Sequence, residues 1–180
     1  MFDIRLLIDE SDRREEVLEA VAAIESMVQL QEPWSNQTFS DLLEQESTNL
    51  MAVINTAENE VVGYCLYQIV FEQAEILRIG THPDYQRQGI ASQLFATLNN
   101  ELINNKVESL LLEVRADNAP ALALYEQQAF AVGLKLFSEV ILQHLHEAPF
   151  QQWFGDMGQL MRAIKQLPDL PVAEGGVDAD

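Results

Sequence analysis

Between Ala74 and Gln128 the chain reads strand, helix, strand, helix, and this alternation restricts the possible folds more than any other feature. Residues 74 to 81 have the apolar content of a strand that stops at His82-Pro83-Asp84, where proline disfavours continuation of the ladder. The helix that follows begins near Gly89 and repeats apolar residues at Ile90, Leu94, Leu98 and Leu102, with Phe95 beside them. Leu110 to Val114 reads as a fully buried strand, and Asn118-Ala119-Pro120 then opens a helix that runs through Leu122 and Tyr125, with a capping side chain and a proline in its first turn. Strands separated by a helix pair in parallel through a crossover. Upstream, Leu50 to Ile54 and Val61 to Phe71 flank the polar stretch Asn55 to Glu60, a hairpin signal that demands antiparallel pairing. The sheet is therefore mixed.

The remaining elements are read with the same rules. Residues 3 to 8 suit a short first strand, and Ser11 or Asp12 caps a helix whose apolar stripe is Val17, Val21, Ile24 and Val28 and whose other face is charged. Glu32-Pro33-Trp34-Ser35 is a turn, with Ser35 capping a shorter helix to about Glu46 and Trp34 in an exposed connection. Beyond Phe130, Val132 to Phe137 suits a strand, 138 to 147 fits helix or strand, and Gln159 to Ile164 suits a last strand. We take residues 1–165 as one domain and 166–180, acidic and rich in Pro and Gly, as a disordered tail.

Charge narrows the function classes. With 10 Lys and Arg against 29 Asp and Glu, the net charge is -19, which argues against nucleic-acid binding, since that depends on cations neutralising phosphates. Two readings of the acidity stay open: attraction of a basic partner, or simple solubility. No run approaches the ~20 apolar residues of a membrane helix, and the first residues lack a basic region and cleavage site, so no membrane role and a cytoplasmic location are expected. The single cysteine, Cys65, lies in the apolar run VVGYCLYQIV; it can form no intrachain disulfide and suits a buried strand position.

Chemistry concentrates where the strand at 74–81 hands over to its helix. Gln86-Arg87-Gln88-Gly89-Ile90-Ala91 opens an amphipathic helix directly after a strand, so unpaired backbone N–H groups and the helix dipole make a natural site for a phosphate. Gly89 allows close backbone approach, and Ala91 is too small to block it. An acidic chain cannot draw in a polyanion from a distance, so local donors must hold one; Arg78, Arg87, Lys106 and Arg115 fall in one stretch, compatible with a local positive field.

Those six residues fit the GNAT acetyltransferase pattern of Gln or Arg, two variable residues, Gly, one variable residue, then Gly or Ala. Pro83-Asp84-Tyr85-Gln86-Arg87-Gln88-Gly89, Leu112-Glu113-Val114-Arg115-Ala116-Asp117-Asn118 and Ala123-Leu124-Tyr125-Glu126 resemble the RimI-type ribosomal-protein alanine N-acetyltransferases, as does Pro33-Trp34-Ser35 with Phe39 after it. The resemblance covers roughly residues 30 to 130. It implies an α/β (α+β) GNAT fold: a mixed, mostly antiparallel central sheet with a parallel, splayed strand pair and flanking helices. It also implies acetyl-CoA as acyl donor, no metal, Gln86, Arg87, Gln88, Gly89, Ile90 and Ala91 around its pyrophosphate, and Asn118 as a further cofactor contact. Backbone amides around Ile79 to Thr81 would polarise the thioester carbonyl, Glu113 would be the general base, Tyr125 the acid that protonates the departing thiolate, and Trp34 a residue beside the acceptor.

The chemistry is coherent: an amine attacks a thioester only when neutral, a carboxylate can take its proton, and a phenol can donate to a thiolate. The bland alternatives are a solvated strand-end carboxylate for Glu113 and a core tyrosine for Tyr125. The acceptor implied is the N-terminal alanine of a small-subunit ribosomal protein, a basic partner. An α-amino group, with a reference pKa of ~7.7–8.0 against ~10.4 for lysine, is the easier nucleophile. The resemblance stops at Leu134 to Val140, where the family carries an Arg and paired tyrosines and this chain does not, and at Ala129, where the family usually has glycine. Another amine acceptor, or an acyl-CoA-binding module without catalysis, therefore stays open. His144, His146, Pro149, Phe150, Trp153 and Phe154 suit an acceptor groove, a lid or a dimer contact, and the His-x-His pair alone makes no metal site. Oligomeric state is not legible.

Overall fold

The computed structural model describes residues 1–7, 13–115, 117–128, 130–133 and 160–166. In chain order these form β1 (Phe2–Leu6), α1 (Arg14–Val28), α2 (Asn36–Leu43), β2 (Thr48–Asn55), β3 (Glu60–Val70), β4 (Gln73–Thr81), a short 3-10 turn (Pro83–Tyr85), α3 (Ile90–Asn104), β5 (Ser109–Arg115), α4 (Ala119–Gln127), β6 (Ala131–Gly133) and β7 (Leu160–Gln166). Among the described residues the strands make one sheet in the order β1-β2-β3-β4-β5-β7-β6. Every neighbouring pair is antiparallel except β4 and β5, joined in parallel through α3. The mixed sheet expected from the alternation of elements is thus the one found.

Period-2 alternation sorts the apolar residues onto two faces. Leu50, Ala52 and Ile54 of β2 join Val17, Val21, Ile24, Phe39 and Tyr64 beneath α1 and α2. Met51 and Val53 join Cys65, Tyr67, Leu94, Phe95, Leu98 and Leu102 beneath α3 and α4. Each such fully buried large side chain contributes roughly 1.5–3 kcal/mol, so the sheet is held from both sides. Cys65 is buried in this second layer, where burial pushes its thiol pKa up, and it serves as a core residue.

Local signals account for the helix starts. Ser35 caps α2, its hydroxyl accepting from the Thr38 N–H at 3.2 Å, and Asn118 caps α4, its Oδ1 accepting from the Ala121 N–H at 3.3 Å. α2 ends at Leu43, short of the expected Glu46, because turn bonds from Gln45 N–H to the Leu42 carbonyl (3.2 Å) and Thr48 N–H to the Gln45 carbonyl (2.9 Å) lead into β2. α1 starts at Arg14 with Arg13 at the cap position and no side-chain cap bond; Ser11 and Asp12 lie outside the described residues. So do residues 134–159, which include both histidines of the His-x-His pair, and the tail 167–180. No helix among the described residues is long and apolar enough to cross a membrane.

One irregularity opens the sheet. Leu66 pairs with Arg78 but Tyr67 pairs with Ile76, so Leu77 is an extra residue in β4. The bulge turns two consecutive side chains to one face: Leu77 packs in the α1 layer and Arg78 bonds Glu25 of α1, while Ile76 and Ile79 pack in the α3 layer. Parallel pairing of β4 with β5 runs from Gln73 opposite Ser109 to Ile76 opposite Leu112 and ends at that bulge. Both strands continue, to Thr81 and Arg115, and diverge into a V.

Candidate active site

The V is lined by main-chain donors. His82 N–H donates to the Val62 carbonyl at 2.9 Å, and the register continues with Thr81 opposite Gly63, Gly80 opposite Tyr64 and Ile79 opposite Cys65. Antiparallel bonding alternates, so Gly80 bonds β3 while the N–H and C=O groups of Ile79 and Thr81 point the other way, into the gap that β5 has left. In agreement, the Thr81 carbonyl accepts from the Gln86 side chain at 3.3 Å rather than from β3. The direction of these amides was the piece that sequence could not supply.

Above the V the chain turns twice through left-handed backbone, at Arg87 (φ 61) and Gly89 (φ 82). Alternation of hand turns successive N–H groups to one side as a concave nest for an anion. Among the described residues, the N–H groups of Arg87, Gln88 and Gly89 donate to no backbone carbonyl. The first bond of α3 runs from Gln93 N–H to the Gly89 carbonyl, which leaves Ile90, Ala91 and Ser92 as the unpaired donors of a helix N-terminus. Gln88 braces the turn by donating to the Asp84 carbonyl at 3.2 Å. A Cβ built on Gly89 would meet none of the described residues within 4 Å, so none of them crowds the turn at that point. Gln86, Arg87, Gln88 and Gly89 are exposed; Ile90 is buried in the core and offers only its N–H. This cradle of free donors fits a diphosphate.

The two catalytic candidates lie on opposite faces of the sheet. Leu110, Leu112 and Val114 of β5 enter the α3 layer, so Glu113 and Arg115 face the side of α1 and α2. Glu113 is exposed at the strand end, its Cα opposite that of Arg162 in β7. Arg115 reaches Gln31, in the connection between α1 and α2, at 2.5 Å and is gripped by both oxygens of Asp117 at 3.0 and 2.8 Å. That ion pair raises the Arg115 pKa and holds the Asp117 carboxyl below its usual range. Tyr125 lies on the other face, buried in α4 with its ring edge-on to Phe95 at 5.9 Å and tilted against Phe130 at 5.9 Å. Burial pushes its pKa up to about 12, so the phenol keeps its proton at any ordinary pH. Asn118, exposed, spends its Oδ1 on capping α4 just after the V.

Two expectations need correction. Trp34 does not sit in an exposed connection: it is half-buried, edge-on to Phe39 at 5.9 Å, with the Arg78 guanidinium stacked 4.0 Å over its ring. Nor do Arg78, Arg87, Lys106 and Arg115 make one positive field. Arg78 is paired with Glu25, Arg115 with Asp117, and Lys106 follows the C-terminal end of α3, roughly 22 Å along the helix from Gly89. Of the four, Arg87 alone is at the turn. Glu25 itself went unread because a charged residue was assigned to the solvent face, although it follows Val21 by four residues and so shares its side of the helix.

A bulged β4 parting from β5 beneath an anion nest defines the class of this protein. The chain belongs to the GNAT acetyltransferase family, whose model matches residues 15–130. It is similar to the [ribosomal protein bS18]-alanine N-acetyltransferase of Escherichia coli strain K12, 38% identical over 98 residues, which is 54% of this chain and 64% of that one. The match therefore spans just under two thirds of that relative's length. The crystal structure of the ribosomal-protein-S18-alanine N-acetyltransferase from Escherichia coli superposes with a TM-score of 0.67 at 27% identity, covering 97% of this chain and 98% of that one. A PaiA N-acetyltransferase from Thermoplasma acidophilum, solved in complex with coenzyme A, shares the fold with a TM-score of 0.67 at 15% identity, covering 92% and 99%. Among the described residues no group of His, Cys, Asp and Glu is arranged to hold a metal.

Proposed function

We propose that this protein transfers an acetyl group from acetyl-CoA to the N-terminal alanine of a small-subunit ribosomal protein, by direct attack and without an acyl-enzyme. The observation that carries the reading is the V between β4 and β5, the passage through which a thioester held on the α3 side meets an amine held on the α1 side. The likeness to the bS18-alanine N-acetyltransferase supports the acceptor, and the net charge of -19 suits a basic partner. This reading puts the reaction in the cytoplasm, where ribosomal proteins are made.

In this mechanism the nest from Gln86 to Ala91 holds the diphosphate and Asn118 steadies the cofactor from the β5 side. The N–H groups of Ile79 and Thr81 bear the negative charge that gathers on the carbonyl oxygen as the C–N bond forms. Glu113 takes the proton from the attacking amine, directly or through a water, and Tyr125 gives its proton to the sulfur as the C–S bond breaks. Trp34 walls the acceptor side. Tyr125→Phe is expected to lower kcat about 10-fold or more with the KM for acetyl-CoA little changed, since only proton delivery to the leaving group is lost. Because its phenol titrates near 12, the wild-type rate should show no falling limb between pH 7 and pH 10.

A peptide bearing the N-terminal alanine of that ribosomal protein, incubated with acetyl-CoA, should gain one acetyl group on its α-amine, read by tandem mass spectrometry. The missing Arg and paired tyrosines at Leu134 to Val140 favour a second reading, a small amine or an internal lysine as acceptor. A silent peptide beside turnover of small amines would replace the first reading with the second.

A further inference from the structure

Glu25 is fully buried between α1 and the sheet, and no step of the proposed reaction uses it. Its Oε1 accepts from Arg78 Nε at 3.1 Å and from the Trp34 backbone N–H at 3.3 Å, and its Oε2 accepts from the Tyr64 hydroxyl. One carboxylate thus ties together α1, the α1–α2 connection, β3 and β4. A charge is stable in such a place only when paired and hydrogen-bonded, so its partners are held to one arrangement.

Both arms of this cluster end at the site. Arg78, directly after the bulged Leu77, carries its guanidinium over the Trp34 ring. The Tyr64 ring lies against Gly80, where a Cβ would stand 2.6 Å from Tyr64 Cε1, and Gly80 lies between the two residues whose amides enter the V. We infer that Glu25 is a positioning residue: it locks the Trp34 wall and the Ile79–Thr81 segment into one frame, so that acceptor amine and thioester carbonyl meet in register. The inference rests on the acetyl-transfer reading above. It separates two sides of the site, since the diphosphate nest lies beyond this cluster and should not depend on it.

The test uses Glu25→Gln, which keeps shape and removes charge, and Tyr64→Phe, which keeps the ring on Gly80 and removes the hydroxyl, each also in a Trp153→Phe background that leaves Trp34 as the only indole. Calorimetry with CoA should give Kd within about twofold of wild type in both. The acceptor kcat/KM should fall on the order of 10- to 100-fold in Glu25→Gln and less in Tyr64→Phe, as expected for a misplaced reactant. The Trp34 indole N–H signal should shift and broaden in both. Unchanged kcat and KM with only a lower melting temperature would overturn the proposal, as would equal loss of CoA binding, which reports general damage. If Glu25→Gln does not fold, Tyr64→Phe carries the same comparison. Should wild type itself leave the alanine peptide untouched, the functional reading fails separately. The Trp34 signal then decides: unchanged in the variants, it refutes the frame; altered with CoA affinity intact, it supports it.

Discussion

Glu113→Gln is expected to lower kcat by on the order of 10²- to 10⁴-fold while the Kd for acetyl-CoA stays at the wild-type value. The substitution is isosteric at an exposed position of β5, so the backbone pairing of the sheet is expected to be kept. On the proposed mechanism, what is lost is the acceptor for the amine's proton. The remaining rate should depend on how much amine is already neutral, and for an α-amino group with a pKa of ~7.7–8.0 that fraction grows steeply across neutrality. The deficit should therefore shrink as pH rises from 7 to 9.5. Steady-state kinetics at several pH values, with calorimetry for the cofactor, check both parts. A variant as fast as wild type at every pH would make Glu113 a solvated strand-end carboxylate and leave proton removal to another group.

Gly89→Ala should act on the cofactor instead. Gly89 holds φ 82 and ψ 5, in the left-handed region, where an L side chain costs roughly 1–2 kcal/mol. None of the described residues lies within 4 Å of the added Cβ, so no clash with them adds to that strain, and thermal stability should fall only modestly. On the proposed reading a diphosphate approaches this backbone closely, and a side chain or a shift of the strained turn would hinder that approach. Affinity for CoA is therefore expected to fall at least tenfold, about 1.4 kcal/mol, and by a larger factor for valine. Calorimetry on the folded variants separates the two effects. Wild-type affinity in a protein that has only lost stability would remove the turn from the binding site.

Much of this site was legible because its signals are local. The anion nest is written in six consecutive residues and their place between a strand and a helix. The caps at Ser35 and Asn118 follow from side chains three residues from the N–H groups they bind. Glu113 and Tyr125 are singled out by resemblance within a short span, and their roles stay a proposal; the alternating apolar pattern carried the mixed sheet. Signals that fail locally were misread. Trp34, taken alone, looked like a turn residue, yet it is held by Arg78, far along the chain. The four cations from Arg78 to Arg115 looked like one field, yet two are neutralised and one lies at the wrong end of a helix.

The amino-acid sequence by itself determined the order of elements, the two apolar faces and the donor-rich turn before α3, because each depends on hydrophobic period, capping chemistry and backbone freedom within a few residues. Tertiary structure alone decided where β4 bulges, which way the amides of Ile79 and Thr81 point, and that Glu25 is buried among Arg78, Tyr64 and Trp34. Those facts depend on register between strands and on pairing between distant segments, and a one-residue shift in register reverses every side chain and every amide that follows it.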